Sequence, residues 1–224
     1  MGAPSDSSRP NREQPDGAEP QFSSSPCSGV ACGVWILAVL LVTSLPTTFG
    51  ARAQTRSFTD PTECATALAV PAEAVGAVPE HIKLVSWNAM KFRREGAGTY
   101  LRNQGDGATL VFLQESLRNS NPFAGSTFQR YFAPGFSWRS EVSGVDVYSE
   151  QTADLVCQLS LTEPQLRTPK AALLARYPTA EGANLVINVH AINFTPGVTA
   201  YREQLQIFHS LLKSHRGAAI LGGV

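Results

Sequence analysis

Two short apolar runs, IKLVSW at 82–87 and TLVFLQ at 109–114, each stop at a polar side chain, Asn88 after the first and Glu115 after the second. Runs of that length, partly β-branched and bounded by polar or glycine-rich stretches, read as buried strands. Between them Ala97, Tyr100 and Leu101 recur at helical spacing until Gly105-Asp106-Gly107 breaks the pattern. Strand, helix, strand commits the chain to a layered architecture of helices and sheets, and polar groups at strand carboxyl ends are where such sheets place their chemistry.

The rest of the chain from His81 fits that plan. Segment 119–149 is rich in Gly, Ser, Pro and aromatic residues and reads as loops with short strands. Further strands are expected over 154–159, over 170–177 with Pro178 as the stop, and over 184–190, where His190 closes the run. From 198 to 215 the apolar set Tyr201, Leu205, Phe208 and Leu212 steps by four, three and four, the spacing of an amphipathic helix, and Gly217 can cap it. Residues 218–221 read as one more strand before Gly222-Gly223 and Val224.

Ahead of that body, residues 1–28 are dominated by Ser, Pro, Gly and acids and cannot bury enough surface to offset ordering entropy, so they read as disordered. No charge occurs between Glu19 and Arg52, and inside that gap lies the apolar run VACGVWILAVLLV at 30–42. A membrane span needs roughly 20 residues, so the run is of signal-peptide length, and Ala51-Arg52-Ala53 after Pro46 supplies a small-x-small cleavage site. The acids beside Arg9 and Arg12 leave an uncleaved anchor as the other reading of 29–53. Either way the expected location is exported, periplasmic or extracellular, or membrane-anchored. Residues 54–80, rich in Pro, Ala and Thr with weak periodicity, read as a linker with at most a short helical turn. Cys64 and Cys157 would then meet an oxidising compartment, where they can pair or stay two small buried thiols.

Charge narrows the function. Lys plus Arg and Asp plus Glu each total 18, so no global basic field draws the chain to bulk duplex DNA. The four cysteines lack the spacing of a zinc cluster.

The blocks LVSWNAMK at 84–91, TLVFLQES at 109–116, TPKAALLARYP at 168–178, LVINVHAINF at 185–194, and YREQLQ with HRGAAILGG at 201–206 and 215–223 resemble, in order and spacing, the endonuclease/exonuclease/phosphatase superfamily, whose fold is that of deoxyribonuclease I. Within it the chain is most similar to small uncharacterised bacterial members. The resemblance implies an α+β fold, a four-layer sandwich of two mixed sheets between helices, and metal-dependent hydrolysis of a phosphoester. The family pattern continues past the glycine pair with Gly-Asp-x-Asn and closes with Ser-Asp-His, whereas here Val224 follows Gly223. Residues 81–224 are therefore expected to be a truncated domain that lacks the second half of its site, with one sheet short of strands and an apolar face exposed. Hydrolysis by this chain is expected to be negligible, the rival reading being a non-catalytic, phosphate-binding remnant.

Phosphoester hydrolysis needs a cation to neutralise charge on the phosphoryl oxygens and a base to activate water. Magnesium or manganese takes oxygen ligands, and by the resemblance Glu115 holds the metal while Asn88 orients Glu115 or the phosphate through its amide. His190 matches the histidine that contacts the scissile phosphate. Lys170 and Asn193 fall where they can meet substrate. Without the resemblance, Glu115 is a solvated turn carboxylate, Asn88 a turn residue or helix cap, His190 a buried histidine on a backbone carbonyl, and Lys170 an ordinary solvated lysine. Arg93 and Arg94 form a basic spot near Asn88; His209 and His215, six apart, miss the spacing of a helical metal pair. The substrate class stays open among nucleic acid, nucleotides, inositol phosphates and phospholipids, and a membrane partner follows if the amino-terminal segment is not cleaved.

Overall fold

The computed structural model describes residues 54–74, 81–193 and 196–224. In chain order they form β1 (Arg56–Phe58), α1 (Pro61–Ala69), β2 (Leu84–Asn88), a 3₁₀ turn (Met90–Phe92), α2 (Ala97–Gly105), β3 (Leu110–Leu117), β4 (Gln129–Trp138), β5 (Glu141–Ser149), β6 (Leu155–Thr162), β7 (Pro169–Thr179), β8 (Gly182–Val189), α3 (Thr199–Ser214) and β9 (Ala219–Gly223). One sheet runs β1-β6-β7-β8-β9 and the other β2-β3-β5-β4, and each mixes parallel with antiparallel pairs.

Alternation along the strands explains the layers. On β3, Phe112 points into the space between the sheets with Val145, Val147, Leu173 and Val186, while Val111 and Leu113 point outward to Leu101 of α2 and Tyr148. On β7, Leu173 faces inward and Leu174 outward to Phe208 and Leu211 of α3. The fold is α+β, in the four-layer order helix, sheet, sheet, helix. Between the sheets Phe112, Val145, Val147, Leu173 and Val186 are buried, whereas on the edge strand β2 the inward-facing Leu84 and Ser86, neighbours of Leu110 and Phe112, are exposed. Among the described residues the expected uncovered apolar face is therefore present at that edge alone. Leu84 is 37% exposed, and Leu221 of the other edge strand, β9, 50%.

The expected linker over 54–80 is corrected for its described residues. β1 adds to the five-stranded sheet as a parallel edge partner of β6, with Arg56 opposite Leu155. Helix α1 is started by Asp60, whose carboxylate accepts from the N–H groups of Thr62 and Glu63 at 2.8 and 3.0 Å, with Pro61 in the first turn. Cys64, Ala67 and Leu68 form its buried stripe. At its far end Arg176 donates to the carbonyls of Val70 (2.6 Å) and Leu68 (3.4 Å), where a cation complements the helix dipole. Cys64 and Cys157 form a disulfide between α1 and β6.

Three further expectations shift. Segment 119–149 carries the long hairpin β4–β5, tight enough at Gly144 that a Cβ there would lie 2.0 Å from the carbonyl oxygen of Ala133. Strand β7 passes through Pro178 to Thr179, because Pro178 pairs with Ala183 where the hairpin to β8 turns. Helix α3 buries Ala200, Gln204, Phe208 and Leu211, leaving Tyr201 and Leu205 about two-fifths exposed (42% and 40%). A polar residue, Gln204, lies on the inner face because its Oε1 accepts the N–H of Ile192 at 3.1 Å. No described helix is long and apolar enough to cross a membrane; the run at 30–42, like the disordered reading of 1–28, lies outside the described residues.

Candidate active site

Strands β2 and β3 are parallel neighbours with Asn88 opposite Gln114, so their carboxyl ends finish side by side. The N–H of Ala89 donates to the carbonyl of Gln114 at 2.8 Å and carries the pairing one residue further. At this point β3 bulges: Leu113 pairs with Asp146 but Ser116 with Gly144, so β3 holds one residue more than β5 over that stretch. Glu115 takes it up with φ of 49°, which turns its carboxylate toward the open end of the sheet instead of into the ladder.

The opposite sheet is locked to this end by two buried amides. Gln114 Nε2 donates to Asn188 Oδ1 at 2.6 Å and to Ser86 Oγ at 3.3 Å, and Asn188 Nδ2 donates to the carbonyls of Leu113 (3.0 Å) and Asp146 (2.7 Å). Two residues beyond Asn188, the N–H of His190 donates to the carbonyl of Ala171 at 2.9 Å. That fixes the imidazole beside Lys170 and over Glu115.

Asn88, Glu115, His190 and Lys170 thus meet in one place. Asn88 Nδ2 donates to Glu115 Oε1 at 3.2 Å, while Asn88 Oδ1 accepts the N–H of Met90 at 2.9 Å. His190 Nε2 lies 4.0 Å from Glu115 Oε1 and 3.3 Å from Lys170 Nζ. Lys170, 5% exposed, also lies 3.7 Å from Glu163 Oε1. Asn193 takes part through its backbone: its N–H donates to Glu163 Oε1 at 3.2 Å, and the residue is otherwise exposed at the rim. An open cleft of ≈190 Å³ runs past Lys91, Glu115, Lys170 and His190 along Phe136 and Ser143.

Burial pushes the Glu115 carboxyl up, but the hydrogen bonds from Lys91 and Asn88, with the Lys91 charge, outweigh it and hold the group below the usual glutamate range. His190 is held below the usual imidazole range by burial first and then by the charge of Lys170, with a lesser contribution from Lys91, against opposing pulls from Glu115 and Glu163. The imidazole is therefore neutral at pH 7. With the Lys170 ammonium donating to Nε2, its proton belongs on Nδ1.

Four groups here are not singled out by the sequence reading: Lys91, Gln114, Glu163 and Asn188. Lys91 Nζ donates to Glu115 Oε2 at 2.6 Å from a turn in which Met90, Lys91 and Phe92 all have left-handed φ of 47°, 58° and 53°. The available signal for Gln114 and Asn188 is that each is an amide inside an otherwise apolar run, which demands a buried partner. Arg93 is exposed and lines a hollow with Phe136 and Trp138 that adjoins the cleft. His209 is exposed on α3, and His215 lies 3.3 Å from the carbonyl of Ala218.

Among the described residues no three His, Cys, Asp or Glu side chains converge. A hard divalent ion that keeps several waters needs only one or two carboxylates, so the oxygen donors of Glu115 and the adjoining Asn88 amide fit magnesium or manganese and not a zinc centre.

No family model matches the chain. It is 36% identical over 148 residues to a UPF0294 protein of Yersinia pseudotuberculosis, an alignment spanning 64% of this chain and 57% of that one. It is 32% identical over 153 residues to a UPF0294 protein of Vibrio vulnificus, spanning 63% and 51%. The chain thus spans somewhat more than half the length of these curated relatives. Similar solved structures include Danio rerio TDP2 complexed with a single-strand DNA product, at TM-score 0.48 and 14% identity over 64% of this chain and 59% of that one. An endonuclease/exonuclease/phosphatase family protein of Leptotrichia buccalis matches at TM-score 0.46 and 11% identity over 63% and 66%. A protein of unknown function from Enterococcus faecalis matches at 0.49 and 19% over 63% and 66%.

Proposed function

We propose that the chain carries one half of a metal-dependent phosphoesterase site of the endonuclease/exonuclease/phosphatase superfamily. The observation that supports this best is the meeting of Asn88, Glu115, His190 and Lys170 at one place, from four separate sequence blocks and both sheets. In this reading Glu115 holds Mg²⁺ or Mn²⁺, and the ion supplies neutralisation of charge on the phosphoryl oxygens. Asn88 fixes one carboxylate oxygen by donating to it. Lys170 and the Nδ1-protonated His190 present positive charge and a neutral ring to the phosphoester, and Asn193, its N–H held by Glu163, is the further substrate-contacting group of this reading. The substrate is a phosphoester, with nucleic acid among the candidate classes.

None of Asn88, Glu115, His190 and Lys170 is assigned in this reading to activate the attacking water, and general acid–base work alone is worth roughly 10²–10⁴-fold in rate. These four groups by themselves therefore hold the metal and the phosphoester but hydrolyse it at a negligible rate. The Cys64–Cys157 pair supports an exported protein, with 29–53 as signal or anchor and the folded body beginning by Thr55, whose Oγ1 donates to the carbonyl of Ala153 at 2.7 Å.

Titrating Mn²⁺ into the full chain and into Glu115→Gln, alongside hydrolysis of a chromogenic phosphodiester, tests the reading. One Glu115-dependent Mn²⁺ site with background turnover supports it. Equal binding by both proteins, or turnover above background that Glu115→Gln leaves unchanged, overturns it.

A further inference from the structure

The proposed function gives Lys91 no task, yet the chain goes to some length to place it. Three successive L-residues, Met90 to Phe92, hold left-handed backbone, a conformation that side chains with a Cβ disfavour. Asn88 Oδ1 secures the start of that turn by accepting from the N–H of Met90, and the N–H of Phe92 donates back to Ala89 at 2.8 Å. The product of this turn is one ammonium 2.6 Å from Glu115 Oε2, the short distance of a charge-assisted hydrogen bond.

We infer that the Lys91 ammonium is an internal counter-cation that holds the Glu115 carboxylate when no divalent ion is bound and must leave it when one binds, so that Lys91 sets the cation affinity of the site. This rests on the reading of Glu115 as the metal-holding group. The geometry makes the two cations exclusive. Asn88 already occupies Oε1, and Lys91 takes Oε2. A magnesium ion would sit about 2.1 Å from a carboxylate oxygen, so an ammonium kept on that same oxygen would lie only about 4 Å from a doubly charged ion, in strong repulsion.

Other positive groups do not take this place. Lys170 is turned to His190 and Glu163, and His190, 4.0 Å from Oε1, is a neutral ring. Lys91 also has somewhere to go. Its side chain is 26% exposed and lines the cleft beside Phe136 and Ser143 and the hollow that contains Arg93. A buried structural ion pair would have no such exit; this one is built to open.

The experiment is Mn²⁺ titration of the full chain, by calorimetry and by thermal midpoint, in the parent, Lys91→Met, Lys91→Arg and Glu115→Gln. The expected result is that Lys91→Met binds on the order of tenfold more tightly than the parent, through loss of one competing charge. Its metal-free midpoint falls and is restored by Mn²⁺, whereas Lys91→Arg keeps the parent's affinity and Glu115→Gln loses the site. Lys91→Gln carries the measurement if Lys91→Met does not fold. Parent-like affinity in the neutral variant, with binding still lost in Glu115→Gln, overturns the counter-cation role and leaves the metal-holding role of Glu115 standing. Binding that ignores Glu115, or no binding in either the parent or the neutral variant, overturns both.

Discussion

Gln114 and Asn188 meet amide to amide at 2.6 Å in the space between the sheets, both fully buried, one next to Glu115 in sequence and the other two residues before His190. Removing one partner strands the other in a low-dielectric layer, and Asn188 also serves two carbonyls of the facing sheet. Asn188→Ala is expected to cost about 2–4 kcal/mol in urea unfolding and to weaken Glu115-dependent Mn²⁺ binding. A variant as stable as the parent would show that the amide pair does not hold the sheets in register.

Arg176 is 1% exposed and forms a two-pronged pair with Asp154, at 3.0 Å from Nε and 2.6 Å from Nη2. Asp154→Ala leaves that guanidinium buried with only carbonyl partners. We expect a loss of about 3–5 kcal/mol, read by denaturant unfolding, in line with breaking other buried pairs from one side. A change below 1 kcal/mol would mean that the helix carbonyls and penetrating water suffice.

The Cys64–Cys157 bond closes a sequence separation of 93 residues. Chain-entropy reasoning gives such a link roughly 4–5 kcal/mol of stabilisation through the unfolded state. Unfolding with and without dithiothreitol should differ by that order, and the Cys64→Ala, Cys157→Ala double variant should match the reduced parent. Identical curves in oxidised and reduced protein would contradict the link.

His190 titrates below the ordinary imidazole value of 6.5, from burial and the Lys170 charge. Its depressed folded pKa means that the unfolded chain takes up the proton first. Stability is therefore unaffected by this group above about pH 6.5 and falls as pH drops from there through the folded value. Proton NMR of the ring should give a midpoint under 6.5, and Lys170→Met should raise it. A midpoint at or above 6.5 would place a negative charge, not Lys170, as the ring's dominant neighbour.

How much of this was legible from residues alone depended on the kind of contact. Asn88, Glu115 and His190 stand at the ends of recognisable apolar runs, so parallel pairing of β2 with β3 and the position of β8 brought them together as their placement suggested. Lys91 was hidden because its approach to Glu115 depends on three left-handed residues that no periodicity announces. The α1 segment looked like a tether because alanine carries little hydrophobic signal, although Asp60-Pro61 and the 64, 67, 68 stripe were present. The face of α3 was misjudged by one residue, since Gln204 enters the core on the strength of a single hydrogen bond to Ile192, and apolar spacing alone favours Tyr201 and Leu205.

The grip of Arg176 on the carboxyl end of α1 has a consequence for how the molecule comes apart. The same guanidinium is fastened to Asp154 at the start of β6 and springs from the middle of the five-stranded sheet, so the first helix cannot lift away without disturbing the centre of the domain. A stretch that in sequence resembles a dispensable leash thus belongs to the same cooperative unit as the strands bearing the cleft, and trimming it would be felt at Lys170 and His190.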